Sequence, residues 1–242
     1  MMANTHTWFC IPSARKASEA NAMLAIWRQR GYLIALWRDA AETVPPVCDI
    51  LLTGKYPGYA QAVNALAAEV LSRDTRCEWI VTGGDDTLPD LSHSPEHIAA
   101  QCRDHFNGTF GVMQPTGDRF AGGSIDRIAG SPWMGREWCE RANGGSGPLW
   151  PEFTHMFVDQ CLQDTAIRCG AFWQRQDLIH LHRHFMRQDD GLHSAVNRIS
   201  PPAHLVKWNS SAHWQEMEAI YMRLKRCDFA PCMPIAAVGA TV

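Results

Sequence analysis

The stretch Trp79-Ile80-Val81-Thr82-Gly83-Gly84-Asp85-Asp86-Thr87-Leu88-Pro89-Asp90 decides how the chain is read. Trp79 to Thr82 is a short, wholly apolar run ending in a small polar residue, the mark of a buried strand. It runs directly into two glycines, which permit a tight backbone path at the strand's exit. Two adjacent carboxylates follow. They repel each other unless a cation or hydrogen-bond donors compensate. Oxygen ligands of this kind suit Mg²⁺ or Mn²⁺, which need few protein ligands when a substrate phosphate supplies the others. The plainer reading is an Asp-rich turn in which Asp86 caps the next segment.

Working outward, the preceding segments alternate in type. Trp8 to Ile11 reads as a first buried strand closed by Pro12. Residues 16–30 carry Ala20, Met23, Leu24 and Trp27 at helical spacing, with Gly31 as a stop. Leu33 to Trp37 is a second strand with Asp39 at its exit, and Ile50 to Leu52 a third. Between Tyr56 and Arg73, Val63, Leu66, Ala67, Val70 and Leu71 again keep helical spacing. Strands alternating with helices predict an α/β fold: a Rossmann-like, mostly parallel sheet flanked by helices. Ligands bind such sheets at the carboxyl ends of the strands. Pro12-Ser13-Ala14-Arg15, Asp39 and Gly84-Asp85-Asp86 all fall there.

The second half is less regular. Phe110 to Met113 reads as a strand, residues 117–150 as long loops with one short helix, Glu152 to Gln163 as a helix, and Leu178 to His184 as a strand. Trp214, Met217, Tyr221 and Leu224 mark an amphipathic helix opened by Ser210 or Ser211, and the tail from Pro231 reads as loose. The expected organisation is one domain over 1–242: a nucleotide-binding half (1–90), an irregular acceptor-side half (91–230) and a tail (231–242).

Composition narrows the class. With 46% hydrophobic and 19% charged residues, the chain is globular. A formal net charge of -3 gives no whole-protein field toward DNA or anionic membranes. No apolar run approaches the roughly 20 residues of a membrane helix. The first residues, MMANTHTWFCIPSARK, do not read as a signal peptide, so a cytoplasmic location is expected. None of the nine cysteines forms a C-x-x-C pair, which argues against a cysteine zinc site and for buried, reduced thiols.

Four segments, IPSAR at 11–15, Asp39, YPGYAQAVNALAAEVL at 56–71 and WIVTGGDDTLPD at 79–90, together resemble the GT-A glycosyltransferases. The likeness is to the large inverting family that includes cellulose and hyaluronan synthases. It implies a GT-A-like fold and metal-dependent transfer of a sugar from a nucleoside-diphosphate sugar to an acceptor hydroxyl. It assigns Asp86 to a divalent metal, Mn²⁺ or Mg²⁺. Asp85 falls near the donor's ribose and phosphates, with Pro12, Ser13, Arg15 and Asp39 on the nucleotide. Gly84 stands where the family carries a first acid. Val158-Asp159 falls where the family carries Glu-Asp, which makes Asp159 the general base and Asp164 a second candidate. A late histidine closes the metal site in many such enzymes. Read as a strand, His180, His182 and His184 would point the same way, with His182 preferred as ligand and His180 as alternate. The loop Ser131 to Gly147, with Trp133, Arg136, Glu137 and Trp138, is expected to shape the sugar and acceptor side.

The acceptor stays open at this point. A hydroxymethylated base in phage DNA is one candidate, with Arg119, Arg127, Arg136 and Arg141 as a basic rim and the host cytoplasm as its place. A glycan, lipid-linked or protein acceptor fits equally well. Two other classes remain: a degenerate module that binds a sugar nucleotide or partner without turnover, which Gly84 favours, and a nucleotidyltransferase. Against the latter, IPSARKAS carries no glycine after the first strand.

Overall fold

The computed structural model describes residues 6–39, 45–118, 130–184, 208 and 210–235. In chain order the elements are β1 (His6–Pro12), α1 (Ala17–Gln29), β2 (Leu33–Arg38), β3 (Ile50–Thr53), α2 (Tyr59–Arg73), β4 (Cys77–Val81) and β5 (Thr87–Leu88). There follow α3 (Pro95–Phe106), β6 (Val112–Pro115), β7 (Trp133–Gly135), α4 (Arg136–Gly145), α5 (Val158–Arg168), β8 (Phe172–Arg175), β9 (Leu181–His182) and α6 (Ser211–Arg226). A 3-10 turn, Ala230–Cys232, comes last.

Seven strands form one sheet in the order β3-β2-β1-β4-β7-β6-β8. β1, β2, β3 and β4 are parallel, β7 runs against both β4 and β6, and β6 is parallel to β8. The expected mostly parallel α/β sheet is therefore present. β1 is covered on both faces, which is why it reads as continuous apolar sequence rather than as alternation. Trp8 and Cys10 enter the core cluster shared with α2, α4, α5 and α6. Phe9 and Ile11 enter the opposite cluster, with Leu24, Trp27, Ile98 and Cys102 of α1 and α3. Trp27 alone is stacked on Phe9 with ring centroids 3.8 Å apart, and burying a side chain of this size contributes about 2–3 kcal/mol.

The chain order puts β2 on one side of β1 and β4 on the other. This reversal opens a crevice at the carboxyl ends of β1 and β4.

The second half departs from the sequence expectation in five places. α3 is a helix that hydrophobic spacing alone did not mark. Its signal is the start Ser94-Pro95, where the Ser94 side chain accepts from His97 N–H and Pro95 takes the first turn, and Asn107 ends it in the left-handed region. Residues 130–150 are not long loops. They hold β7, in the middle of the sheet, and α4, which loses helical geometry at Ala142–Gly144. α5 starts at Val158, not near Glu152. The strand expected over 178–184 contracts to Leu181–His182, with a bridge at His184. The segment from Pro231 is not loose as far as it is described: Cys232 is buried, and Ile235 N–H donates to the Arg141 carbonyl at 2.9 Å. Among the described residues, no helix is long and apolar enough to cross a membrane.

Candidate active site at the ends of β1 and β4

The exit of β4 is built from beneath. The Thr82 hydroxyl donates to the Cys10 carbonyl at 2.8 Å, which ties β4 to β1 just before the turn. Tyr59, at the start of α2, donates its hydroxyl to the Gly83 carbonyl at 3.2 Å. Trp27 of α1 donates to the Thr87 carbonyl at 2.8 Å. Between these ties, Thr87 N–H donates to the Gly84 carbonyl at 3.0 Å, a four-residue turn with Asp85 and Asp86 at its two corners. Adjacent corner residues send their side chains apart, so the two carboxylates meet different partners.

Asp85 turns toward β1. It accepts from the Ser13 hydroxyl at 2.7 Å and from Arg15 Nε at 2.8 Å. Burial pushes its pKa up, and the charge of Arg15 with the Ser13 bond only partly reverses this. Asp86 turns toward β9. Its Oδ1 is 3.1 Å from His182 Nε2, and its Oδ2 is 3.7 Å from an Arg15 amino group. Burial raises the Asp86 pKa too, but the hydrogen bond and charge of His182, with Arg15 and His184 behind, hold it below the ordinary aspartate value. Desolvating these charges costs several kcal/mol per ion, so the network is a device for orientation more than for stability.

The register of a two-stranded ribbon decides which histidine meets Asp86. β5 pairs antiparallel with β9, with Thr87 opposite His182 and Leu88 opposite Leu181. Arg183 N–H donates to the Asp86 carbonyl at 2.8 Å and closes the register. Two further carboxylates hold β9 in place: Asp90 accepts from Ile179 N–H at 2.9 Å and Asp118 from His182 N–H at 3.1 Å. Sequence reasoning missed both as positioning residues. Asp90 lay in plain view at the end of the Leu-Pro-Asp turn. Asp118 follows β6 at the strand end that faces the same way as β4, a signal that needs the sheet order.

The histidines do not act as a row. His180 is 2% exposed, and the structure does not bring it to Asp86. Its Nδ1 is 2.8 Å from the Ser131 hydroxyl, and its Nε2 accepts from Trp133 Nε1 at 3.4 Å. Burial drops its pKa to about 3. The physical reason is that residues 178–180 are irregular, so the two-residue strand period does not extend back to His180. His184 packs edge-on against His182, ring centroids 5.1 Å apart.

Other candidates fall as follows. Pro12 ends β1 opposite Trp37, and Ser13 N–H donates to the Trp37 carbonyl at 3.0 Å. Asp39 is exposed at the exit of β2. Tyr56 feels both Asp39 and Asp85: burial first, then the Tyr59 hydroxyl and these two charges, raise its pKa. Gly84 sits against the Asp86–His182 pair, and a Cβ there would lie 2.3 Å from Asp86 Oδ1 and 3.3 Å from His182 Nε2. Asp159 occupies the first turn of α5 and lies within electrostatic reach of His182. Burial raises its pKa, and the N–H groups of the helix start reverse this only in part. Asp164 accepts from the Tyr221 hydroxyl at 2.6 Å and ties α5 to α6.

The loop expected to shape the acceptor side does not line the site. Trp133 and Trp138 are 0% and 1% exposed. Arg136 donates to the Cys77 and Asp74 carbonyls at the amino end of β4, away from the crevice. Arg141 stacks on Phe110 and donates to the Ile235 carbonyl. Arg119 and Arg127 lie outside the described residues.

A sheet in this order, with the turn carboxylates at its switch point, is the GT-A form of the α/β nucleotide fold. One solved structure agrees at that level. The chain is similar to a solved mannosyltransferase, PcManGT from Pyrobaculum calidifontis, in complex with GDP-Man and Mn²⁺: TM-score 0.54 at 14% identity, covering 74% of this chain. The chain spans 57% of that enzyme's length. A Drosophila β1,4-galactosyltransferase 7 mutant, in complex with manganese, UDP-Gal and xylobiose, aligns at TM-score 0.39 and 14% identity over 81% of each chain. No protein-family model matches the sequence, and no curated protein matches it.

Proposed function

We propose that the chain is a metal-dependent glycosyltransferase that moves a sugar from a nucleoside-diphosphate sugar to an acceptor hydroxyl. The observation that carries this reading is the division of labour at one turn: Asp85 faces Arg15 and Ser13, while Asp86 faces His182. The shared fold with a sugar-nucleotide enzyme supports it.

The residues fit a divalent metal of a particular kind. Among the described residues no group of three or more His, Cys, Asp or Glu side chains is set to hold an ion. Asp86 and His182 offer one oxygen and one nitrogen 3.1 Å apart. A two-ligand set suits Mn²⁺ or Mg²⁺ when a diphosphate completes the shell. The metal, when bound, neutralises charge on the departing diphosphate. Arg15, fixed by Asp85, presents a guanidinium to the same phosphate oxygens. Ser13, Pro12 and Asp39 border the nucleotide. Asp159 takes the acceptor proton as the acceptor oxygen bonds to the anomeric carbon and the bond to the diphosphate breaks. The raised pKa of Asp159 makes it the stronger base. On the acceptor, Arg136 and Arg141, the two arginines of the expected basic rim that lie among the described residues, are spent on the frame and lend a DNA base no support. A glycan or protein hydroxyl is the reading kept.

The test is a panel of UDP- and GDP-sugars with Mn²⁺, read as donor hydrolysis and as transfer to simple glycosides. Metal-dependent hydrolysis of one donor supports the proposal. Tight metal-dependent binding without any hydrolysis selects a non-turnover module instead.

A further inference from the structure

Two buried thiols that take no part in the site described above face each other. Cys161, on α5, and Cys232, in the 3-10 turn, place their sulfurs 3.9 Å apart, 71 positions apart in sequence. Both side chains are almost fully enclosed, at 2% and 0% exposure. The geometry points to a redox-formed disulfide between Cys161 and Cys232, a covalent latch that fastens the 3-10 turn to the helix carrying Asp159.

Three features carry the inference. First, the sulfurs already face each other at 3.9 Å, and a disulfide requires that they close to roughly 2.05 Å. Second, the thiols polarise each other. The hydrogen bond shared with Cys161 holds the Cys232 thiol below its ordinary value and pushes Cys161 up. The more acidic partner of such a pair is the one that attacks an oxidant. Third, Cys232 lies in a single turn of three residues, whose own backbone bonds are Ala230 N–H to the Cys227 carbonyl at 3.1 Å, Cys232 N–H to the Phe229 carbonyl at 2.8 Å and Met233 N–H to the Ala230 carbonyl at 3.3 Å, with Gly144 N–H and the Arg141 carbonyl tying its exit to α4. Elements of this size open locally far below the cost of global unfolding.

The oxidant is a small disulfide of the glutathione class. The Cys232 thiolate attacks one sulfur of the reagent and expels the first glutathione thiolate, leaving a mixed disulfide. The Cys161 thiolate then attacks the Cys232 sulfur and expels the second. The two thiol protons pass to the two released glutathione thiolates. One reagent disulfide is reduced, and the pair is oxidised by two electrons.

The experiment equilibrates the full chain over graded ratios of oxidised to reduced glutathione, traps remaining thiols by alkylation, and maps peptides by mass. A single cross-linked peptide joining Cys161 and Cys232 is expected, with a melting temperature raised by roughly 5–10 °C over the reduced protein. Cys161→Ser is expected to abolish the cross-link and the temperature shift together. The exposed Cys227 serves as the internal control for reagent. Glutathione on Cys227 with both Cys161 and Cys232 alkylated as thiols overturns the inference. So does a cross-link from Cys232 to Cys169, or a Cys161–Cys232 bond that leaves the melting temperature unchanged. None of these readouts depends on sugar transfer, so the outcome stands apart from the proposed activity.

Discussion

Two polar clusters stand two residues apart on one segment, and they differ in what their side chains have left to give. At the rim, His182 meets Asp86, and Asp86 meets Arg15, with Asp159 on α5 within electrostatic reach of His182. One step back, in the core, Trp133 donates to His180, His180 pairs with Ser131, and the Ser131 hydroxyl donates to the Thr82 carbonyl at 3.1 Å. The core chain is closed: every donor ends on a protein acceptor, beneath Thr82 of the β4 exit. The rim joins the two corner carboxylates of a turn to Ser13, Arg15 and His182 at the carboxyl ends of β1 and β4. A buried polar chain that is fully satisfied rigidifies its surroundings. The core cluster therefore holds the frame on which the rim cluster is displayed, and mutations should separate the two. Rim substitutions should change binding or turnover at nearly constant stability, and core substitutions the reverse.

The largest separation is expected at Asp159. Asp159→Asn should lower transfer by a factor on the order of 10²–10⁴ while donor affinity holds. Because burial raises its pKa, the acid limb of the transfer rate should lie above the ordinary aspartate range. The base works only when ionised, so activity falls as pH drops through that value, and the limb should vanish in the variant. A variant that transfers at the wild-type rate ends the assignment. Next comes Asp86→Ala. It should reduce Mn²⁺-dependent nucleotide affinity by at least about a hundredfold, since loss of even an indirect metal partner costs 10–100-fold. Calorimetry giving an unchanged affinity would remove Asp86 from the rim's function.

The core cluster supplies the opposite case. His180→Ala removes a buried ring, leaves the Trp133 indole N–H without an acceptor and takes one of the Ser131 hydroxyl's two partners. A loss of about 3 kcal/mol in stability is expected, seen as a lower denaturant midpoint. Metal affinity, measured under conditions where the variant is folded, should be kept. An unaltered midpoint with weakened metal binding would place His180 at the rim and dissolve the distinction.

How much of this was legible in the sequence follows the same line. β1 through β4 were legible because each strand is apolar throughout and each helix keeps a 3.6-residue stripe; α1 shows it at Ala20, Met23, Leu24 and Trp27. The turn carboxylates drew notice in the sequence because they directly follow a buried strand, at the strand end where such sheets bind ligands. The direction of each carboxylate was not, because it depends on the Gly84–Thr87 turn closing. The second half hid its elements behind short lengths. β7 has three residues and β9 two, too few for any period to register. Trp133 and Trp138 looked like surface aromatics in a Gly-rich stretch, but β7 inserts between β4 and β6 and so carries its neighbours into the core. Asn64, within the Ala-x-Asn of α2, accepts from Leu149 N–H and donates to the Leu149 and Ser146 carbonyls. It pins the approach to α5, a role that no spacing in the sequence announces.

The finest test lies within the rim, between His182 and His184. Both influence the Asp86 carboxyl, His182 by a hydrogen bond and charge, His184 by charge alone. If the rim works through ring nitrogens placed on Asp86, only the directly bonded ring should matter for a metal. His182→Ala should then weaken Mn²⁺ binding by roughly tenfold, the lower end expected for loss of one partner of a metal site. His184→Ala should change it by less than about twofold, the scale of a screened charge at the surface. Stability should move little in either, because His182 is held by its backbone: its N–H goes to Asp118 and its strand pairs with β5 whatever the side chain. Equal losses from the two variants would mean that the histidines act as a diffuse positive field and that Asp86 binds its cation alone. Two variants indistinguishable from wild type would take histidine out of the metal site and leave the Asp86–His182 contact as a means of holding the turn.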